Sequence, residues 1–198
     1  MMRILYGGAD IREHPSRPDD AWTQERRDAF QLRPDVTRPL SLDPNVWSGA
    51  RDPAGQAAPT PLPWVSVEDV LERFESRARP RDAVVIVIGV VAEGPGEEAA
   101  LRNRTGVEVE LSARPDWRFV GFDVADGTVS GLTNCGYDAD EVGVLRAVWA
   151  SRLNEHGLFS DVADALSFRR LTDERVPEHA PFFVYGLWIV LDDERGVP

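Results

Sequence analysis

The sequence predicts an α+β fold, with a mostly antiparallel sheet of about five strands, helices packed on one face, and a proline-rich N-terminal arm. Three observations predict it. Two runs, Ala83 to Val91 (AVVIVIGVV) and Phe182 to Leu191 (FFVYGLWIVL), are β-branched or aromatic and apolar on both faces, as central strands are. The strand signals between them are joined by short turns and lack strict strand–helix alternation, which favours antiparallel pairing. Nine of the fifteen prolines fall in the first 63 residues, where they interrupt almost any continuous element.

These prolines divide the chain into an arm, residues 1–63, that wraps a domain, residues 64–198. The domain is expected to fold without the arm. Within the arm only Met2 to Tyr6 reads as a strand and Asp20 to Phe30 as a short helix. Gly7-Gly8 lacks the remaining glycines and the Gly-Lys-Ser/Thr ending of a phosphate loop, so it reads as a turn. Trp22, Trp47 and Trp64 would anchor the arm.

From Trp64 onward the local signals sharpen. Ser66 has the chemistry of an N-cap, with Asp69 at the capping-box position. Val67, Val70, Leu71 and Phe74 then fall on one helical face. Pro80 limits that helix. After the first central strand come a single helical turn at Glu97 to Leu101, an alternating strand at Val107 to Leu111, and a strand at Trp117 to Val124. Asp126-Gly127 is a tight-turn signal, with a short returning strand at Thr128 to Leu132. Asp138 caps a helix carrying Val142, Leu145, Trp149 and Leu153, closed by Gly157 as a left-handed C-terminal residue. A further helix starts at Ser160, and a loop from Thr172 to Pro181 leads into the last strand.

The formal net charge is −12, and all 22 basic residues are arginine, a usage that suggests a GC-rich genome. Residues 64–198 carry −11 of that charge. A phosphate backbone or an anionic membrane repels such a chain, so the expected partner is a basic protein and not a nucleic acid or a membrane. No apolar run nears the roughly eighteen residues of a membrane span, and the N-terminal apolar stretch is too short for a signal peptide, which predicts a cytoplasmic protein. Cys135 is the single cysteine, so neither an intramolecular disulfide nor a cysteine zinc site is available. The three histidines lack the i, i+4 spacing of a helical zinc motif, and neither metal nor cofactor is expected. His156 reads as a cation in the last turn of its helix.

Two stretches carry candidate chemistry. The first, Asp123 to Tyr137, holds Asp123, Asp126 and Cys135. The second, Pro177 to Pro181, holds Glu178 and His179 between two prolines, a rigid loop of the kind on which function concentrates. As an enzyme the chain would use Cys135 as nucleophile, His179 as base and Asp123 as the third group. No known cysteine-enzyme signature surrounds Cys135, and Asn134-Cys135-Gly136 reads equally as a turn. As a binding protein it would use Glu178, His179, Asp126, Asp138, Asp140, Glu141 and the aromatic Trp117. The reading favoured from sequence is the non-catalytic binding protein, in its sharpest form an immunity-type inhibitor of a basic bacterial toxin or effector. A structural, self-associating protein is the third reading, to be marked by an exposed apolar face on the strand Trp117 to Val124 or on the arm.

Overall fold

The computed structural model describes residues 2–13, 24–42, 66–75, 83–105, 109–126 and 139–191. The elements in chain order are β1 (Arg3–Glu13), α1 (Gln24–Phe30), α2 (Val67–Glu75), β2 (Ala83–Ala92), α3 (Pro95–Thr105), β3 (Val109–Glu110), β4 (Trp117–Ala125), α4 (Ala139–Trp149), α5 (Val162–Arg175) and β5 (Phe183–Val190). The fold is α+β. Its strands lie in the order β3-β1-β2-β5-β4, four long strands with the two-residue β3 at one edge. Leu5 pairs with Glu110 and Tyr6 with Val109 in antiparallel register. The Leu191 N–H, just past β5, donates to the Asp116 carbonyl just before β4 (2.8 Å), as antiparallel neighbours require.

The chain forms two compact units, and each draws on both sides of residue 63. The first comprises Met1–Arg12, Trp64–Val120 and Gly186–Pro198. Its core joins Ala9 of β1, Val67 and Val70 of α2, Val85 and Val87 of β2, and Trp188 of β5. The predicted cap of α2 is present, since the Asp69 N–H donates to Ser66 Oγ (3.1 Å). Gly89 is required in β2, because a Cβ there would lie 2.6 Å from Ile4 Cγ2 and 3.2 Å from the Trp188 ring.

The second unit comprises Glu13–Pro63 and Gly121–Tyr185. Its core contains a cluster of Trp149, Phe159 and Phe168 with ring centroids 5.2–6.0 Å apart. The segment after α1 is buried in it through Leu32, Val36, Leu40 and Leu42. Asp161, not Ser160, caps α5, accepting from the Ala163 N–H (2.7 Å).

Several local expectations are corrected. β1 runs through Gly7 and Gly8, which are buried strand residues and not a turn; glycine marks either, and here it sits inside a sheet. The single turn expected at Glu97 is an eleven-residue helix, α3. The helix expected to reach Gly157 stops at Trp149 and tightens into one 3-10 turn over Ala150–Arg152. Leu153 and Phe159 pair across the following turn, and Phe159 also bridges Phe122. That pairing removes residues 153–159 from the helix, and His156 lies in the turn instead of a last helical turn. Gly157 does adopt the left-handed conformation (φ 71°), but to close this turn. Gly121 has φ 143°, and a Cβ on it would lie 2.7 Å from Leu158 Cβ. The expected strand Thr128 to Leu132 and the anchors Trp22, Trp47 and Trp64 lie outside the described residues.

Candidate functional site

Three elements of the second unit end near one another. β4 ends at Ala125, so Asp126 is the first residue beyond the strand, and its side chain is almost fully buried. The Tyr185 hydroxyl of β5 donates to the Asp126 carbonyl (3.3 Å), which fixes the backbone there. The loop after α5 returns toward this point. Its Val176 N–H donates to the Thr172 carbonyl and its His179 N–H to the Val176 carbonyl (2.9 and 3.1 Å), and the Phe182 N–H donates to Asp173 Oδ1 (2.7 Å). So tied, the loop holds His179 Nδ1 3.4 Å from Asp126 Oδ2. The imidazole is more than half exposed while the carboxylate is 6% exposed, so the ring faces solvent with a buried acid behind it.

The N-terminal turn of α4 joins this corner through Glu141, whose Oε1 lies 3.7 Å from Arg175 Nη1 at the end of α5. Asp140 sits in the same first turn. Glu174 and Glu178 are exposed on either side of Arg175 and Val176. Asp126 and Glu141 each meet one cationic side chain of this stretch, His179 and Arg175, and Glu174 and Glu178 are exposed beside those two in the chain. Of the residues expected from sequence, Asp126 and His179 meet in one ion contact, Glu141 meets Arg175 in the other, and Glu178 is the exposed neighbour of His179 in the chain. Glu174 and Arg175 were missed, because a charged last helical turn reads as a solvated face.

Of the enzyme set, the structure describes Asp123 and His179. Asp123 is fully buried and committed, accepting from Ser41 Oγ (3.1 Å), the Leu42 N–H (2.7 Å) and the Val124 N–H (2.9 Å). Asp126, and not Asp123, is the carboxylate beside His179. Cys135 and Asp138 lie outside the described residues. Trp117 belongs to the first unit, stacked with Tyr6 at 6.4 Å and under the Arg114 guanidinium at 5.5 Å.

A shallow, open depression of about 430 Å³ is lined by Leu32, Arg33, Pro34, Asp35, Arg146, Ala150 and Ser151. Its charged groups are engaged. Arg33 forks onto Asp35 and holds that carboxyl below its ordinary pKa, and Arg146 donates to the Asp28 and Gln31 carbonyls at the end of α1. Among the described residues no three metal-ligating side chains converge, and no helix is long and apolar enough to cross a membrane. No family model, no curated protein and no solved structure matches the chain.

Proposed function

We propose that the chain is a non-catalytic binding protein whose contact surface is the acidic corner around His179, and that its partner is a basic protein. One observation supports this reading: Glu174 at the end of α5 and Glu178 in the following loop are exposed, and Glu141 of α4 is held beside them by Arg175. A concentrated negative surface steers a cationic partner and selects it over others. In its finer form the partner is a bacterial toxin or effector that this chain neutralises, which fits the net charge of −12.

The test compares the tagged parent with a Glu174→Arg, Glu178→Arg double variant in pull-downs from native lysate at low and high salt. The expected result is one stoichiometric basic protein, released by high salt and lost from the variant. A protein held equally by both forms, or retained at high salt, overturns the reading.

A second reading is favoured by the same pair. A buried carboxylate on the Nδ1 side of an exposed imidazole leaves Nε2 to accept a proton, the arrangement of an oriented general base. Cys135 would then be its nucleophile. The His179→Gln substitution should slow alkylation of Cys135 at neutral pH if the two groups meet; an unchanged rate removes the enzyme.

A further inference from the structure

We propose that this chain forms a two-fold dimer through the outer ridge of α4, with the two copies of that helix packed antiparallel. α4 belongs to the second unit and buries Val142 and Leu145. Its other side is exposed at Val144, Ala147, Val148 and, in the 3-10 turn that follows, Ser151. Four large hydrophobics are exposed among the described residues, and two of them, Val144 (62%) and Val148 (52%), stand one turn apart on this ridge. Single exposed apolar residues are ordinary, whereas neighbours at i and i+4 make one patch. Ser151 also lines the shallow depression with Leu32 and Pro34, so the apolar surface continues off the helix.

Charge names the occupant. Between Glu141 and Arg152 the chain has one charged residue, Arg146, and it is turned toward the end of α1, where it donates to the Asp28 and Gln31 carbonyls. A ridge with no acid along it does not draw a cationic protein. It offers instead one charge at each end. Glu141 meets Arg175 (3.7 Å) and Arg152 meets Asp164, both on α5, so both charges lie on the α5 side of the ridge. Both side chains remain exposed. Along the helix axis they stand roughly three turns apart.

A two-fold contact is self-complementary: if residue i meets j, then j meets i. A second copy run antiparallel, about an axis midway between Glu141 and Arg152, keeps α5 side to α5 side. It sets Glu141 of each copy against Arg152 of the other. The same rotation brings Val144 of each copy level with Val148 of the other. One register thus satisfies the charges and the valines together. A foreign helix would need both features in reversed order, and a second copy supplies them by symmetry.

The experiment is sedimentation equilibrium of the purified full chain from about 10 to about 500 μM, the range in which a small interface associates. No other protein is added, so the result is independent of the basic partner proposed above. We expect a monomer–dimer equilibrium that Val148→Glu weakens at least tenfold. Glu141→Arg and Arg152→Glu should each weaken it as well, since each sets like charges against each other in its own dimer. An equimolar mixture of those two variants should associate at least tenfold more tightly than either alone, because only the mixed pair restores opposite charges at both ends. Met2→Thr, at an exposed residue of the first unit, should change nothing. Far-UV circular dichroism checks that each variant is folded; Val148→Ser replaces Val148→Glu if that variant is not, and should weaken the dimer in the same direction. A chain that stays monomeric throughout overturns the proposal, as it would if another segment of the chain covered the ridge. So does a Val148→Glu dimer as tight as the parent's, a mixture no tighter than its components, or a dimer abolished by Met2→Thr.

Discussion

Ser41 Oγ donates to Asp123 Oδ2 at 3.1 Å, with both residues fully buried. The Leu42 N–H reaches the same oxygen at 2.7 Å. This carboxylate fastens residues from the proline-rich third of the sequence to β4, and its acceptor capacity is spent on structure. Replacing it with an apolar side chain removes the shared acceptor of two buried backbone donors and a hydroxyl. Each unsatisfied buried group costs about 1–3 kcal/mol, so Asp123→Leu should lose roughly 2–5 kcal/mol, and Ser41→Ala about 1 kcal/mol. Urea denaturation of the three proteins measures both. A neutral Asp123→Leu would show that the contacts carry no net stability.

The same contacts change the expectation for the fragment 64–198. Without residues 1–63 the sheet loses β1 from between β3 and β2, and the cores lose Leu5, Leu32, Leu40 and Leu42, all nearly inaccessible to water. Each fully buried leucine is worth about 1.5–3 kcal/mol, and domain stability is only about 5–15 kcal/mol in all. The fragment should therefore be unfolded at 25 °C. A cooperative thermal transition for residues 64–198 alone would show that the first 63 residues are an accessory.

What was legible in the sequence follows from which interactions are local. The runs that became β2 and β5 are self-evident because central strands need apolar residues on both faces. Ser66 announces its cap because the donor it satisfies is three residues away. The burial of Leu32, Leu40 and Leu42 was hidden by the prolines around them, since Pro34 and Pro39 prevent regular structure without preventing burial. The end of α4 was hidden for another reason. Leu153 continues the helical stripe of Leu145 and Trp149, and only its pairing with Phe159 takes it out of the helix. At the candidate site, Glu178 and His179 stood out by their proline flanks. The identity of the acid beside His179 depends on where β4 ends, which no local signal states.

Tyr6 gives a pH prediction. Burial is the main cause raising its phenol above the ordinary value of 10.0, with Glu68 adding to the rise and the Val67 backbone and Arg114 opposing it. As pH rises, the unfolded chain ionises first, so the unfolded state binds fewer protons and stability falls. The effect is absent below about pH 9 and grows from about pH 10 up to the folded value. The urea midpoint should decline over that range and decline less in Tyr6→Phe. Equal alkaline slopes for the two proteins would remove Tyr6 as a source.

Gln31 gives the last prediction. Its side chain is 1% exposed, and neither its amide oxygen nor its amide nitrogen meets a partner. Its backbone, in contrast, is fully used: the N–H donates to the Arg27 carbonyl and the carbonyl receives Arg146. The position is therefore fixed by the main chain, while the side chain is an apolar filler carrying two unpaid polar groups. Burying an amide without hydrogen bonds costs about 1–3 kcal/mol on protein-based scales. Gln31→Leu, of similar volume, removes that cost and should stabilise the protein by about 1 kcal/mol. Gln31→Ala removes the filler as well and should destabilise it through the cavity left behind. If Gln31→Leu instead loses more than about 1 kcal/mol, the amide holds a buried water of the kind that bridges two to four polar groups. The opposite signs for leucine and alanine, read from urea midpoints, separate packing at this position from hydrogen bonding.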